Sequence, residues 1–97
     1  MTKRTIAIAA DHGGVEFKQS IIDTFSGDDI VFLDLGTHAD APADYPDKAG
    51  ELVKEIVEGR AAAGILICGS GVGMSIAANR NPNIRSALVT DATMARL

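Results

Sequence analysis

Four short apolar runs, at residues 5–9, 29–35, 63–68 and 84–90, constrain the fold of this chain more than any other feature. Each is bounded by Gly, Asp or Asn, and each is mostly apolar in continuous stretches rather than at every second position. Continuous hydrophobicity belongs to strands covered on both faces, which is the condition of a parallel sheet. Parallel neighbours cannot be joined by tight hairpins, so a crossover, usually helical, must lie between successive runs.

The intervening segments have the helical period. Phe17, Ile21 and Phe25 recur at i, i+4 and i+8, with Val15 and Ile22 beside them, and Ser26-Gly27 ends the pattern. Ala49, Leu52, Val53, Ile56 and Val57 form a second stripe, closed by Gly59. Pro46 is suited to its first turn, where a missing N–H costs nothing. A third, shorter helix is predicted from about residue 73 to 80, stopping before Asn81-Pro82. The order βαβαβαβ with right-handed crossovers predicts a three-layer α/β/α sandwich around a parallel, Rossmann-like sheet.

The chain has 97 residues, the size of one domain, 1–97, with no linker or internal repeat. With no Trp, one Tyr and three Phe, its core must be aliphatic. Nine basic residues against thirteen acidic ones give a net charge of −4, and only Lys3-Arg4 places two cations together. No basic stripe follows a nucleic-acid backbone, so neither nucleic acid nor an anionic membrane is expected as a partner. The single Cys68 excludes an internal disulfide and a multi-cysteine zinc site. No apolar run reaches the length of a bilayer span, and the N-terminus lacks the pattern of a signal peptide, so a cytoplasmic protein is expected.

Thr90 or Asp91 is a good N-cap, yet the helix that would follow over 92–97 has fewer than two turns. So short a helix is marginal unless something packs on it, and four open strands leave an edge uncovered. The sequence therefore reads as most of a domain, the other reading being a short tail that docks.

In open parallel sheets, ligands bind beyond the carboxyl ends of the strands. The third run ends in Cys68-Gly69-Ser70-Gly71-Val72-Gly73. Alternate glycines between a strand and a helix let the backbone approach a ligand and turn successive N–H groups toward an anion. A thiol beside that positive partial charge is biased toward thiolate, a nucleophile or a general base. Equally, Cys68 fits as a small buried residue ending a strand. A dinucleotide fingerprint fits poorly, because Met74 occupies the position of its third glycine and the loop follows the third strand, although Asp91 ends the next one.

The first run ends in Asp11-His12-Gly13-Gly14, a carboxylate and an imidazole suited to sugar hydroxyls or phosphate, or else an N-cap Asp with an exposed His. After the second run, His38, Asp40 and Asp44 follow no recognised metal-ligand spacing and read as a solvated acidic loop. Tyr45 precedes Pro46 at a helix start, a place for packing. Met74 and Ala77-Ala78 read as helix packing, with Asn79-Arg80 as a polar end.

Together, Ile8-Ala9-Ala10-Asp11-His12-Gly13-Gly14, Asp34-Leu35-Gly36-Thr37, Asp44-Tyr45-Pro46 and the stretch from Ile65 through Cys68-Gly69-Ser70-Gly71-Val72-Gly73 to Arg80 resemble the ribose-5-phosphate isomerase B and galactose-6-phosphate isomerase family. The resemblance runs the length of the chain in order. It implies a cofactor-free, metal-free aldose–ketose isomerisation of a sugar phosphate through a cis-enediolate, in dimers or tetramers with sites at the dimer interface. It makes Cys68 the base and Ser70 the hydroxyl assisting proton transfer at the sugar oxygens. The N–H groups of Gly69, Gly71, Val72 and Gly73 become the anion hole, with Asp11, His12 and Tyr45 lining the substrate pocket. Some members place a glutamate base just after the loop; Met74 stands there and cannot accept a proton. The family also carries, further on, an Arg-x-His-Asn segment whose histidine opens the sugar ring, and arginines for the phosphate. The histidines here are His12 and His38. The chain is either a piece of a longer one or a shortened member, with weak or no isomerase activity expected in the second case.

Overall fold

The computed structural model describes residues 3–10, 14–36, 45–67, 76, 78–80 and 82–86. Three strands and two long helices alternate among them: β1 (Arg4–Ala10), α1 (Val15–Phe25), β2 (Ile30–Asp34), α2 (Tyr45–Val57) and β3 (Ala63–Ile67). Both β2 and β3 pair with β1 in parallel, giving the order β2-β1-β3. The first three predicted strands are thus found within one or two residues of their expected ends. The predicted fourth strand differs: residues 84–86 carry no regular structure, and 87–90 lie outside the described residues. Of the predicted third helix, residues 76, 78 and 79 are helical.

Register and side-chain alternation assign the two faces of the sheet. Ala7 lies opposite Leu33 on one side and Gly64 on the other, and Ala9 lies opposite Leu66. These residues share one face, and on it Ala7, Ala9, Leu52 and Ala61 form the buried cluster, with Leu33, Leu35, Ile56 and Leu66 packed against it. That is the α2 layer. The other face carries Ile8, Ala10, Asp34 and Ile67, and α1 meets it through Gly14 and Lys18. Ile8, the largest fully buried side chain among the described residues, lies in that face. Alanines at 7, 9 and 10 make the central strand thin enough for a helix to close on either side. The α/β/α sandwich follows directly, because the right-handed crossovers from β1 to β2 and from β2 to β3 run in opposite directions across the sheet and must pass on opposite faces.

Helix α2 behaves as its stripe predicts: Ala49, Leu52 and Val53 are buried, and only Val57, near the end, opens to solvent. It stops in a Schellman motif. Gly59 adopts φ +82, its N–H bonds Ile56 O at 3.1 Å, and the Arg60 N–H bonds Glu55 O at 2.9 Å.

Helix α1 is rotated from its expected setting. Phe17 and Phe25 are 63% and 61% exposed, while Lys18 is 3% exposed. The Phe17–Ile21–Phe25 stripe therefore does not form the buried face. Lys18 turns fully inward between half-buried Val15, Ile21 and Ile22, and finds a carboxylate there.

The predicted polar end at Asn79-Arg80 has a structural task. Asn79 Nδ2 donates to Ser86 O at 2.9 Å, and Ser86 N–H donates to Asn79 Oδ1 at 2.8 Å. One amide side chain thus closes the turn through Pro82 and Asn83. No helix among the described residues is long and apolar enough to cross a membrane.

Candidate functional site

The strand order defines where a ligand belongs. The chain leaves β1 for β2 on one side, then returns past β1 to β3 on the other. The carboxyl ends of β1 and β3 therefore flank the topological switch point, the crevice in which open α/β sheets bind their ligands. Ala10 and Ile67, the last residues of these strands, are register partners. Asp11-His12 is continuous with the first strand end, and Cys68 with the second.

The helical layer closes tightly at this point. A Cβ on Gly14 would lie 2.6 Å from Ile67 Cγ2 and 3.2 Å from Ala10 Cβ. Gly14 has an ordinary φ of −104°, so glycine is required there for close approach rather than for a left-handed backbone. The contact seats the start of α1 directly on the residue before Cys68.

Of the predicted site residues, Asp11, His12, Cys68, Gly69, Ser70, Gly71, Val72 and Gly73 lie outside the described residues, as do His38, Asp40 and Asp44. Tyr45 is the first residue of α2. The framework around them is described, and it brings together the strand ends from which the first and third segments depart. Among the described residues, no group of three or more His, Cys, Asp or Glu is arranged to hold a metal ion.

Two lysines that sequence reasoning passed over fix the end of β2. Lys18 Nζ, on α1, lies 2.8 Å from Asp34 Oδ1, and the same oxygen accepts the Gly36 N–H at 2.8 Å. Gly36 sits at φ +77, a conformation that costs other residues about 1–2 kcal/mol. Lys48 Nζ, on α2, donates to Leu35 O at 3.1 Å and lies 3.3 Å from Glu51 Oε2. The exit of β2 is therefore gripped from both helical layers. Desolvating an ammonium costs several kcal/mol, and the pairing with Asp34, whose side chain is 40% exposed, offsets it. The sequence signal was Asp34-x-Gly36, the spacing of an aspartate that turns its own backbone; nothing local identified Lys18 as its partner.

At the far end of α2, Arg60 forms ion pairs with Glu55 and Glu58, with Arg60 Nε 2.5 Å from Glu55 Oε2. The hydrogen bond from Arg60 holds the Glu55 carboxyl below the usual carboxylate range, against a smaller opposing effect of burial. The two carboxylates hold the Arg60 guanidinium still more firmly protonated than usual. This cluster belongs to the end of α2 opposite Tyr45.

Comparison with known proteins decides the lineage. Residues 6–97 match the ribose/galactose isomerase family. The chain belongs to that family. A putative sugar phosphate isomerase of Rickettsia bellii is 46% identical over 90 residues, covering 93% of this chain and 62% of the relative. Ribose-5-phosphate isomerase B of Escherichia coli is 35% identical over 94 residues, covering 97% and 63%. Among solved structures, a ribose 5-phosphate isomerase of Thermotoga maritima superposes with a TM-score of 0.90 at 44% identity, covering 98% of this chain and 66% of that one. The type B ribose 5-phosphate isomerase of Trypanosoma brucei gives 0.88 at 42%, covering 97% and 64%. The family members thus share the Rossmann-like framework described above, and this chain spans less than two thirds of the length of the curated relatives it matches.

Proposed function

We propose that this chain performs the proton transfer of an aldose–ketose isomerase acting on a sugar phosphate of the ribose 5-phosphate/ribulose 5-phosphate type. The observation carrying the reading is the pairing of Ala10 with Ile67 at the switch point. Directly beyond these partners the sequence supplies a carboxylate and an imidazole on one side, and a thiol with a glycine loop on the other. Cys68, as thiolate, takes the proton from C2 of the open-chain aldose and returns it to C1. The N–H groups of Gly69, Gly71, Val72 and Gly73 hold the oxyanion that develops as the cis-enediolate forms, the charge that preorganised donors stabilise best. Ser70 moves the proton between the sugar oxygens, while Asp11, His12 and Tyr45 orient the substrate. No metal or cofactor enters this reading. It places the chain in the cytoplasm as one domain over 1–97, and as a homodimer or tetramer.

A second reading is a family member that binds sugar phosphate without turning it over, or pairs with a full-length paralogue. One assay separates the two: ribose 5-phosphate to ribulose 5-phosphate turnover by the 97-residue protein, its mass verified, beside Cys68→Ala. Turnover abolished in the variant supports the isomerase with Cys68 as base. Turnover that survives in the variant removes Cys68 from that role, and no turnover by either protein favours the binding member.

A further inference from the structure

We propose that Lys18 is a positioning residue for the candidate site, acting through Asp34 to fix the exit of β2 relative to the start of α1; the inference rests on the sugar-phosphate reading above. Lys18 lies one helical turn after Gly14, in the helix that follows the Asp11-His12 segment. Its Nζ, 2.8 Å from Asp34 Oδ1, ties that helix to the strand whose chain runs on toward Tyr45. Asp34 Oδ1 at the same time accepts the Gly36 N–H at 2.8 Å, and Gly36 takes the left-handed turn at φ +77 that sets the direction of the exit. On the other face, Lys48, three residues into the helix begun by Tyr45, holds Leu35 O at 3.1 Å. Residues 34, 35 and 36 are thus each tied, and the two lysines come from the two helices that begin beside predicted substrate-binding residues.

Stability alone does not account for a lysine at this point. The same helix leaves Phe17 and Phe25 63% and 61% exposed while it buries an ammonium. An apolar side chain of similar length would fill the position without giving up hydration, and Asp34, with its side chain 40% exposed, would keep water as a partner. What an apolar side chain would not supply is a directional hold on Asp34, and through it on Gly36.

The test compares the 97-residue protein with Lys18→Met, with Asp34→Asn and with the double variant. Three quantities are measured: thermal midpoint, the amide resonances of Gly36 and Tyr45, and ribose 5-phosphate affinity by calorimetry. Lys18→Met is expected to shift both resonances and weaken binding roughly tenfold, about 1.4 kcal/mol, with a midpoint close to that of the parent. Adding Asp34→Asn to it is expected to weaken binding by less than the two single losses combined, because the residues act as one unit. Should Lys18→Met not fold, Asp34→Asn, at a 40% exposed side chain, carries the same comparison. Binding losses that merely track lost stability, or unmoved resonances with unchanged affinity, would overturn the proposal. If the parent protein itself binds no ribose 5-phosphate, the functional reading fails. The positioning claim is then decided by the resonances: shifts at both Gly36 and Tyr45 support it, and their absence removes it.

Discussion

Gly14 and Ile67 approach so closely that a Cβ on Gly14 would lie 2.6 Å from Ile67 Cγ2. The two residues stand immediately after and before the segments that carry Asp11-His12 and Cys68. Gly14→Ala is therefore expected to displace either the start of α1 or the end of β3. The cost is about 1–3 kcal/mol of stability, in line with overpacked cores, with a loss of sugar-phosphate binding beyond what the lost stability explains. Urea unfolding together with calorimetric titration checks both; an alanine variant that binds as the parent does would show that the contact has no bearing on the site.

Gly64 provides the control. A Cβ there would collide with Leu52, lying 2.9 Å from its Cγ and 3.1 Å from Ile56 Cδ1, on the α2 face of the sheet. Gly64→Ala is expected to destabilise by a similar amount, about 1–3 kcal/mol. At a temperature where the variant remains folded, its ligand affinity should match that of the parent. Equal effects of the two glycine variants on binding would contradict the distinction between the faces.

Phe17 and Phe25 are each more than 60% exposed. Replacing either with Ala is expected to cost about 1 kcal/mol, well short of the roughly 3–5 kcal/mol lost when a buried Phe is truncated. Chemical denaturation of the two single variants is a direct measure. A core-sized loss at either position would mean that the helix is set with this stripe inward after all.

The Arg60 cluster has a pH signature with a definite sign. Hydrogen bonding to Arg60 depresses the Glu55 pKa in the folded state. Its stabilisation is therefore present above the unfolded carboxylate range and disappears as pH falls through the folded value. Stability of the parent and of Arg60→Gln is expected to differ near neutral pH and to converge once the pH has fallen below the depressed folded-state value of Glu55, under the usual carboxylate range. The difference should also shrink in high salt, since these side chains lie at the surface. A gap that neither narrows as the carboxylates titrate nor shrinks in high salt would assign the effect of Arg60 to packing instead.

Much of the framework is legible in the sequence because its signals are local. Thr5 to Ala9, followed by Asp11, reads as a covered strand without knowledge of its neighbours. Pro46 and Gly59 bracket α2, and their backbone preferences do not depend on what the helix touches. Cys68 with its glycine loop, and Asp11-His12, stand out through residue type and spacing, and family membership agrees with the resemblance they carry. The rotation of α1 was not legible. Its apolar residues, Val15, Phe17, Ile21, Ile22 and Phe25, spread over a wide arc of the helix, and hydrophobicity alone does not choose which of them face the sheet. The close seat of Gly14 on Ile67 and the carboxylate of Asp34 make that choice, and both lie on other strands.

The sequence by itself determined the alternation of strands and helices, the parallel sheet and the candidate chemistry beyond two strand ends, since period, punctuation and residue type suffice for each. Only the tertiary structure decided that β1 lies between β2 and β3, that Ala10 meets Ile67 at the switch point, and that Lys18 is drawn inward to Asp34. Those outcomes depend on groups far apart in the chain, 16 residues in the last case and 57 in the pairing of Ala10 with Ile67. Their energies arise from register, close packing and a shared desolvated charge, none of which exists until the layers have come together.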